Sequence, residues 1–228
     1  MPAEITHCPA AVLWDMDGVL ADTTQLHYQS WRQALEAFGA SLDLDQFLGT
    51  FGCKPADTDA RLIPPEHRQN AAAIRRLKDE LFDRFAALEL HCTPGLPYWL
   101  DYFSRRCPQA VATSAVRENA EMLLGILGIR GRFQLLSCSD NLPGKPDPAV
   151  YLNAARLLGV NPAHCLVFED SPEGIEAARR ANIPVIAICT SNPAEALSRA
   201  DLVLPDLSCL TEPMLNQLVL ERNSLSAS

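Results

Sequence analysis

Four short stretches carry the side chains with which this chain could do chemistry. Residues 11–23, AVLWDMDGVLADT, place Asp15 and Asp17 one residue apart directly after an apolar run. Residues 111–115, VATSA, offer the hydroxyls of Thr113 and Ser114. Residues 142–148, LPGKPDP, hold Lys145 in a turn stiffened by glycine and proline. Residues 165–173, CLVFEDSPE, close another apolar run on Glu169 and Asp170. An unpaired carboxylate is costly to bury, and four of them at one edge would repel each other unless a cation sat among them. Hard oxygen ligands in a partly open site favour Mg²⁺, which keeps waters and bridges to phosphate oxygens. The other two stretches are the complement. Hydroxyls and backbone N–H groups at a helix start receive an anion, and an ammonium in a rigid turn can face a phosphate. Taken singly, each stretch also reads as a solvated loop, a helix cap or a turn. Their order along the chain, each at the end of an apolar run, is what singles them out.

The elements that must position these residues are short apolar runs alternating with helical patterns. The runs are AAVLW, AVAT, FQLLS, CLVFE, PVIAIC and LVL. They are continuous rather than alternating in polarity, which suits strands covered on both faces. Helical segments such as NAEMLLGILG, AVYLNAARLLG and EGIEAARRAN lie between them, giving the βαβ rhythm of an α/β, doubly wound (Rossmann-like) parallel sheet. In such a sheet ligands bind beyond the carboxyl ends of the strands. Ser171 is expected to cap the helix that follows Asp170, with Pro172 at its first position. One long interruption follows the first strand. Its first helix carries Trp31, Ala34, Leu35 and Phe38 on one face, and its longest carries Ile74, Leu77, Leu81, Phe85 and Leu88. Pro64 and Pro65 are expected to start that longest helix. We therefore expect an α/β core domain made of residues 1–21 and 93–228, with an inserted all-helical cap domain at 22–92. The tail ERNSLSAS is expected to be disordered.

Bulk composition narrows the function. Hydrophobic residues make up 48% and charged residues 21%, values of a globular chain with a substantial core. No apolar run approaches the length of a bilayer span, so no membrane association is expected. A formal net charge of −9 disfavours nucleic acid as a partner, but not a small anion met by local cations. The eight cysteines show neither a CxxC pair nor a secretory context, so neither a zinc site nor a disulfide framework is expected. A cytoplasmic location is the simplest. No surface pattern marks an interface; the oligomeric state is open, with a monomer favoured.

With DMDGVLADT, ATSA, GKPDP and FEDSPEGI all present, the chain resembles the haloacid dehalogenase-like superfamily of phosphotransferases. The likeness is to members with a helical cap after the first strand, in the branch of β-phosphoglucomutase and small sugar-phosphate phosphatases. The resemblance implies that Asp15 is the nucleophile, forming an aspartyl-phosphate, and that Asp17 is the general acid and then the base. It implies Mg²⁺ held by the Asp15 carboxylate, the Asp17 backbone carbonyl and Asp170, with Glu169 nearby or bound through water. Thr113, the Ser114 backbone and Lys145 would hold the transferring phosphoryl group. His27 and Lys78 in the cap would face the substrate, and Ala115 and Arg117 would lie beside the phosphate. The implied partner is a small phosphorylated metabolite.

The mutase pattern is incomplete. Where phosphoglucomutases of this branch have an arginine for the distal phosphate the alignment gives Pro55, and where they have a serine it gives Ala115. Arg117 or Lys54 would have to compensate. Hydrolysis of a monophosphate is therefore the expected activity, with a β-phosphoglucomutase-like mutase as the alternative and a non-catalytic metal- or phosphate-binding module as the third reading. Haloacid dehalogenation does not fit, since dehalogenases of this superfamily lack an acid where Asp17 stands.

Overall fold

The structure, a computed structural model, describes residues 8–50 and 55–225. The chain forms two compact units, one within Met1–Asp22 and His91–Ser228, the other within Thr23–Leu90.

The larger unit is built on a six-stranded, wholly parallel sheet. Its strands are β1 (Ala11–Trp14), β2 (Gln109–Ala112), β3 (Leu135–Ser137), β4 (Cys165–Glu169), β5 (Val185–Ile188) and β6 (Leu202–Leu204). Their order is β3-β2-β1-β4-β5-β6, so the direction of winding reverses between the two central strands, β1 and β4. β1, β2, β4 and β5 are buried at every position, which is why their apolar runs do not alternate. On one face Ala11, Leu13, Ala110, Ala112, Cys165 and Val167 pack against the helices that follow β3 and β4. On the other, Trp14 stacks on Phe168 at 4.3 Å, with Phe103 edge-on at 6.0 Å. The indole N–H of Trp14 donates to Gln109 Oε1 at 2.9 Å, and the Gln109 amide donates to the Leu100 carbonyl. A polar strand residue is thereby buried without an orphaned group.

The smaller unit holds α1 (Thr24–Glu36), α2 (Leu44–Leu48), α3 (Pro55–Leu62) and α4 (Ala71–Glu89). Trp31, Ala34, Leu35, Ile74 and Leu81 share one core. Two expectations change here. The Pro65 segment is a 3₁₀ turn over Pro65–Asn70, and the long helix begins only at Ala71. Leu88 is 78% exposed, while Phe82 and Ala86 are buried.

The remaining helices belong to the larger unit: α5 (Leu96–Ser104), α6 (Arg117–Ile126), α7 (Ala149–Leu158), α8 (Pro172–Arg180) and α9 (Glu212–Leu225). α9 corrects the expectation of a disordered tail as far as Leu225, since Leu215, Leu218 and Val219 on it are buried. Where the chain leaves and re-enters this unit, Ala21 bridges Cys92, and Thr93 donates its N–H to the Leu20 carbonyl and its hydroxyl to that of Val19. No helix among the described residues is long and apolar enough to cross a membrane.

Candidate active site

Register brings the acids together. Trp14 pairs with Phe168, and the Asp15 N–H donates to the Phe168 carbonyl at 3.0 Å. Asp15 and Glu169 therefore leave the two central strands side by side, where the strand order reverses and a crevice opens in this kind of sheet. Asp170 follows one residue later. Asp15, Glu169 and Asp170 are all buried, and each presents an oxygen within 4.8 Å of the others.

Lys145 lies among these acids, not in solvent. Its ammonium donates to Asp15 Oδ1 at 2.5 Å and to Glu169 Oε1 at 2.6 Å, with 7% of the side chain exposed. Glu169 gathers more donors. The Tyr151 hydroxyl reaches the same Oε1 at 2.7 Å. The other oxygen accepts from the N–H groups of Asp170 and Ser171 at 2.8 and 3.0 Å and from the Ser171 hydroxyl at 2.9 Å. Ser171 also caps α8, accepting from the Gly174 N–H at 3.0 Å, and a Cβ at Gly174 would collide with the Glu169 carboxylate.

Electrostatics separates these otherwise similar acids. Burial pushes the Asp15 carboxyl up to about 7, against the pull of the Lys145 charge and with a push from Glu169 and Asp17. Burial also acts to raise Glu169, but Lys145 and the hydrogen bonds outweigh it and hold this carboxyl below its usual range. Asp170 goes the other way: burial and the charges of Glu169 and Asp15 push it well above the carboxylate range. Burial works to discharge Lys145, yet Asp15 and Glu169 keep it protonated more firmly than a free lysine.

Asp170 is held from the third side by residues after β5. The Asn192 amide donates to the Asp170 carbonyl at 3.0 Å, and Ser191 hydrogen-bonds the carboxylate. Gly18 sits at φ +77°, and a Cβ there would collide with the Asp170 carboxylate. The residues present fit a hard divalent cation. They are carboxylate oxygens only, and their like charges exceed what one lysine balances. Both Glu169 oxygens already accept from protein donors, so Asp15 and Asp170 are the acids of this trio best placed to reach an ion. Asp17 is half-buried in a bridge with Ala21. Its carboxylate lies outside the converging trio, although its charge acts on Asp15.

Thr113 and Ser114 do not cap a helix as expected, because α6 starts only at Arg117, after Val116. They form a turn beyond β2 instead. The Thr113 hydroxyl accepts from the Ala115 N–H at 3.0 Å, and Ser139 donates its hydroxyl to the Ser114 carbonyl and its N–H to that of Ala115. Arg117 is not gathered into the acid cluster. Its guanidinium donates to the Leu136 carbonyl at 2.9 Å and pairs with Glu121 at 3.8 Å, while its N–H meets the Asp140 carboxylate. The structure thus gives no support to Arg117 as a substitute cation for a ligand; Lys54 lies outside the described residues.

Within the helical unit, His27 stacks on Phe82 with centroids 4.1 Å apart. The Lys78 ammonium lies 5.2 Å from the Phe82 centroid and 5.9 Å from that of Trp31, and it pairs with Asp79 at 3.1 Å. Burial, and then the Lys78 charge, push His27 down to about 3, keeping it neutral.

Sequence reasoning missed Tyr151, Ser191 and Asn192, and took Ser171 only for a cap. The last two had a signal. The run PVIAIC ends on TSN much as AVA ends on TSA, and both stretches lie at the carboxyl end of a strand. Tyr151 had none, because an aromatic residue on α7 looks like ordinary core.

Several known proteins are similar to this chain in sequence or in fold. The family model described as haloacid dehalogenase-like hydrolase matches residues 12–188. The chain is 33% identical over 202 residues to validoxylamine A 7'-phosphate phosphatase of Streptomyces hygroscopicus subsp. limoneus, covering 86% of this chain and 93% of that protein. It is 31% identical to fructose-1-phosphate phosphatase YqaB of Escherichia coli, covering 78% and 96%. Among solved structures, CbbY from Rhodobacter sphaeroides in complex with phosphate superposes with a TM-score of 0.78 at 26% identity, covering 89% and 96%. The chain belongs to the haloacid dehalogenase-like hydrolases, as a phosphoric monoester hydrolase of the branch that includes β-phosphoglucomutase and the sugar-phosphate phosphatases.

Proposed function

We propose that this protein is a Mg²⁺-dependent phosphatase of a small phosphomonoester, a sugar phosphate or a close analogue, working through a phosphorylated Asp15. The observation that carries this reading is the Lys145 bridge between Asp15 and Glu169 at the point of strand reversal. It holds the Asp15 carboxylate in one orientation and opposes the burial that would otherwise keep it protonated. A carboxylate oxygen of Asp15 attacks phosphorus as the bond to the substrate oxygen breaks, and Asp17 gives that leaving oxygen a proton. Asp17 then takes a proton from water. The resulting hydroxide attacks the same phosphorus, breaks the bond to Asp15 and frees inorganic phosphate.

Thr113, the Ser114 backbone and Lys145 hold the transferring oxygens, since this reaction asks mainly for positioning and charge neutralisation. Mg²⁺, held by Asp15, Asp170 and the Asp17 backbone carbonyl, would supply the positive charge that the four acids and the phosphoryl group need. The names of the matched phosphatases support a phosphorylated sugar as substrate.

The relative named β-phosphoglucomutase keeps isomerisation of a sugar phosphate as the second reading. Pro55 and Ala115 stand against it, and the Ala115 N–H is already engaged by Thr113.

The test is phosphate release from a panel of sugar and other small monophosphates, with Mg²⁺ and with chelator. We expect Mg²⁺-dependent release that falls by about 10³-fold or more in Asp15→Asn, the range for losing a nucleophile. Isomerisation of β-glucose 1-phosphate without net release would establish the mutase. Release that persists in Asp15→Asn would overturn the mechanism.

A further inference from the structure

The buried hydroxyl of Tyr151 has no part in the chemistry outlined above, yet it lies one hydrogen bond from it. Tyr151 is 0% exposed on α7, six residues after Lys145 on the same segment. Both ends of that segment converge on one atom. Lys145 Nζ and the Tyr151 hydroxyl donate to Glu169 Oε1 at 2.6 and 2.7 Å, and the Lys145 ammonium lies 5.0 Å from the centroid of the Tyr151 ring. Tyr151 itself is firmly seated. The Ser137 hydroxyl at the end of β3 donates to the Val150 carbonyl at 2.8 Å, and the Asn153 amide donates to that hydroxyl at 2.9 Å.

We propose that Tyr151 is a positioning residue that, together with Ser171, fixes Glu169 and through it the reach of Lys145. This rests on the phosphatase reading of the site. An ammonium has three donors and a long, freely rotating stem. Left with Asp15 alone, Lys145 would follow that carboxylate wherever it turned. Glu169, clamped by Tyr151 on one oxygen and by two N–H groups and the Ser171 hydroxyl on the other, gives the lysine a second anchor that does not move when Asp15 reacts. The Tyr151 ring face closes off the third side of the ammonium, where its cationic charge is favourable. The lysine is thus held ready for charge that develops on the phosphoryl group, and such preorganisation lowers a barrier more than it strengthens ground-state binding.

The experiment uses the full chain and the variant Tyr151→Phe, which keeps the ring and its packing and removes only the hydroxyl. The primary readout is independent of turnover: the ¹H–¹⁵N resonance of the Lys145 ammonium in ¹⁵N-lysine-labelled protein, assigned with Lys145→Met. A caged ammonium exchanges slowly with water and gives a visible resonance. We expect Tyr151→Phe to speed that exchange and shift or broaden the signal. The variant Ser171→Gly, which a helix N-cap position tolerates, should act in the same direction but more weakly, because it removes one of the three donors to the other oxygen of Glu169 and leaves the two N–H groups. In turnover we expect Tyr151→Phe to lower kcat about tenfold, the loss of one hydrogen bond to a charged group, with KM within about twofold.

An unchanged ammonium resonance in Tyr151→Phe overturns the proposal, as does a loss of thermal stability with kcat and resonance both unaltered, which would make the hydroxyl a packing feature only. If the wild-type enzyme releases no phosphate from any compound, the phosphatase reading fails by itself and the ammonium spectra still decide whether Tyr151 holds Lys145.

Discussion

Both units of the molecule bury ionisable groups, and they solve the resulting problem in opposite ways. At the strand ends of the larger unit, Lys145 bridges Asp15 and Glu169 at 2.5 and 2.6 Å, so the charges of Lys145 and Glu169 are kept and met by opposite charge and fixed dipoles. In the helical unit His27 is discharged, pushed down to about 3, and presented to the flat face of Phe82. Backbone geometry accounts for the difference. Strand ends and helix starts deliver N–H groups to an anion, and Glu169 takes two of them. A helix flank has its N–H groups bonded within the helix, so only side chains and aromatic faces remain to receive a polar ring. A charged cluster of the first kind can take up a metal and a phosphate; a stack of the second kind can shape a pocket wall but cannot neutralise an anion unaided.

Removing the cation from the charged cluster is expected to have the largest effect. Lys145→Met should lower stability by about 3–5 kcal/mol, because one partner of a buried ion pair is then missing. Urea denaturation in the presence of chelator would measure it, and added Mg²⁺ should restore part of the loss. A variant as stable as wild type would mean that the cluster is not charge-balanced in the way described.

A pair of glycines sharpens the contrast at lower cost. Gly18 and Gly39 have nearly the same backbone angle, φ +77° and +82°, so replacing either by alanine carries a left-handed penalty of about 1–2 kcal/mol. A Cβ at Gly39 meets nothing within 4 Å, whereas one at Gly18 meets the Asp170 carboxylate. We expect Gly18→Ala to be worse by about 1–3 kcal/mol more, in the range for overpacking, and to abolish turnover, while Gly39→Ala remains active. Equal stability losses in the two variants would refute the close approach of Gly18 to Asp170.

At neutral pH the smallest effect belongs to the discharged histidine. The folded His27 titrates near 3 and its ordinary value is 6.5. Between those limits the unfolded chain binds a proton that the folded chain does not, so stability rises with pH from about 3 to 6.5 and His27 adds no pH dependence above that. His27→Asn should flatten this part of the curve in chemical denaturation at stepped pH. An unchanged slope would place the acid sensitivity elsewhere.

The sequence by itself determined the sheet and the residues gathered at its edge. Continuous apolar runs spaced by helical patterns dictate parallel strands covered on both faces, and polar residues at the ends of those runs fall at one edge because parallel strands all point the same way. Asp15, Lys145, Glu169 and Asp170 were legible for that reason, and the cap of Ser171 on α8 is a local rule of chain geometry. Only the tertiary structure decided how these groups divide their work. That β1 and β4 are neighbours in register is a long-range fact, and it alone places Asp15 beside Glu169. The donation of Tyr151 from α7 to Glu169 on β4, the approach of Gly18 to Asp170 and the arrival of Ser191 and Asn192 from beyond β5 depend on side-chain direction in packed elements, which no spacing in the chain records. The same holds for the start of α4 at Ala71 and the engagement of Arg117 with Leu136: local patterns name a helix or a cation, and packing decides where the one begins and what the other meets.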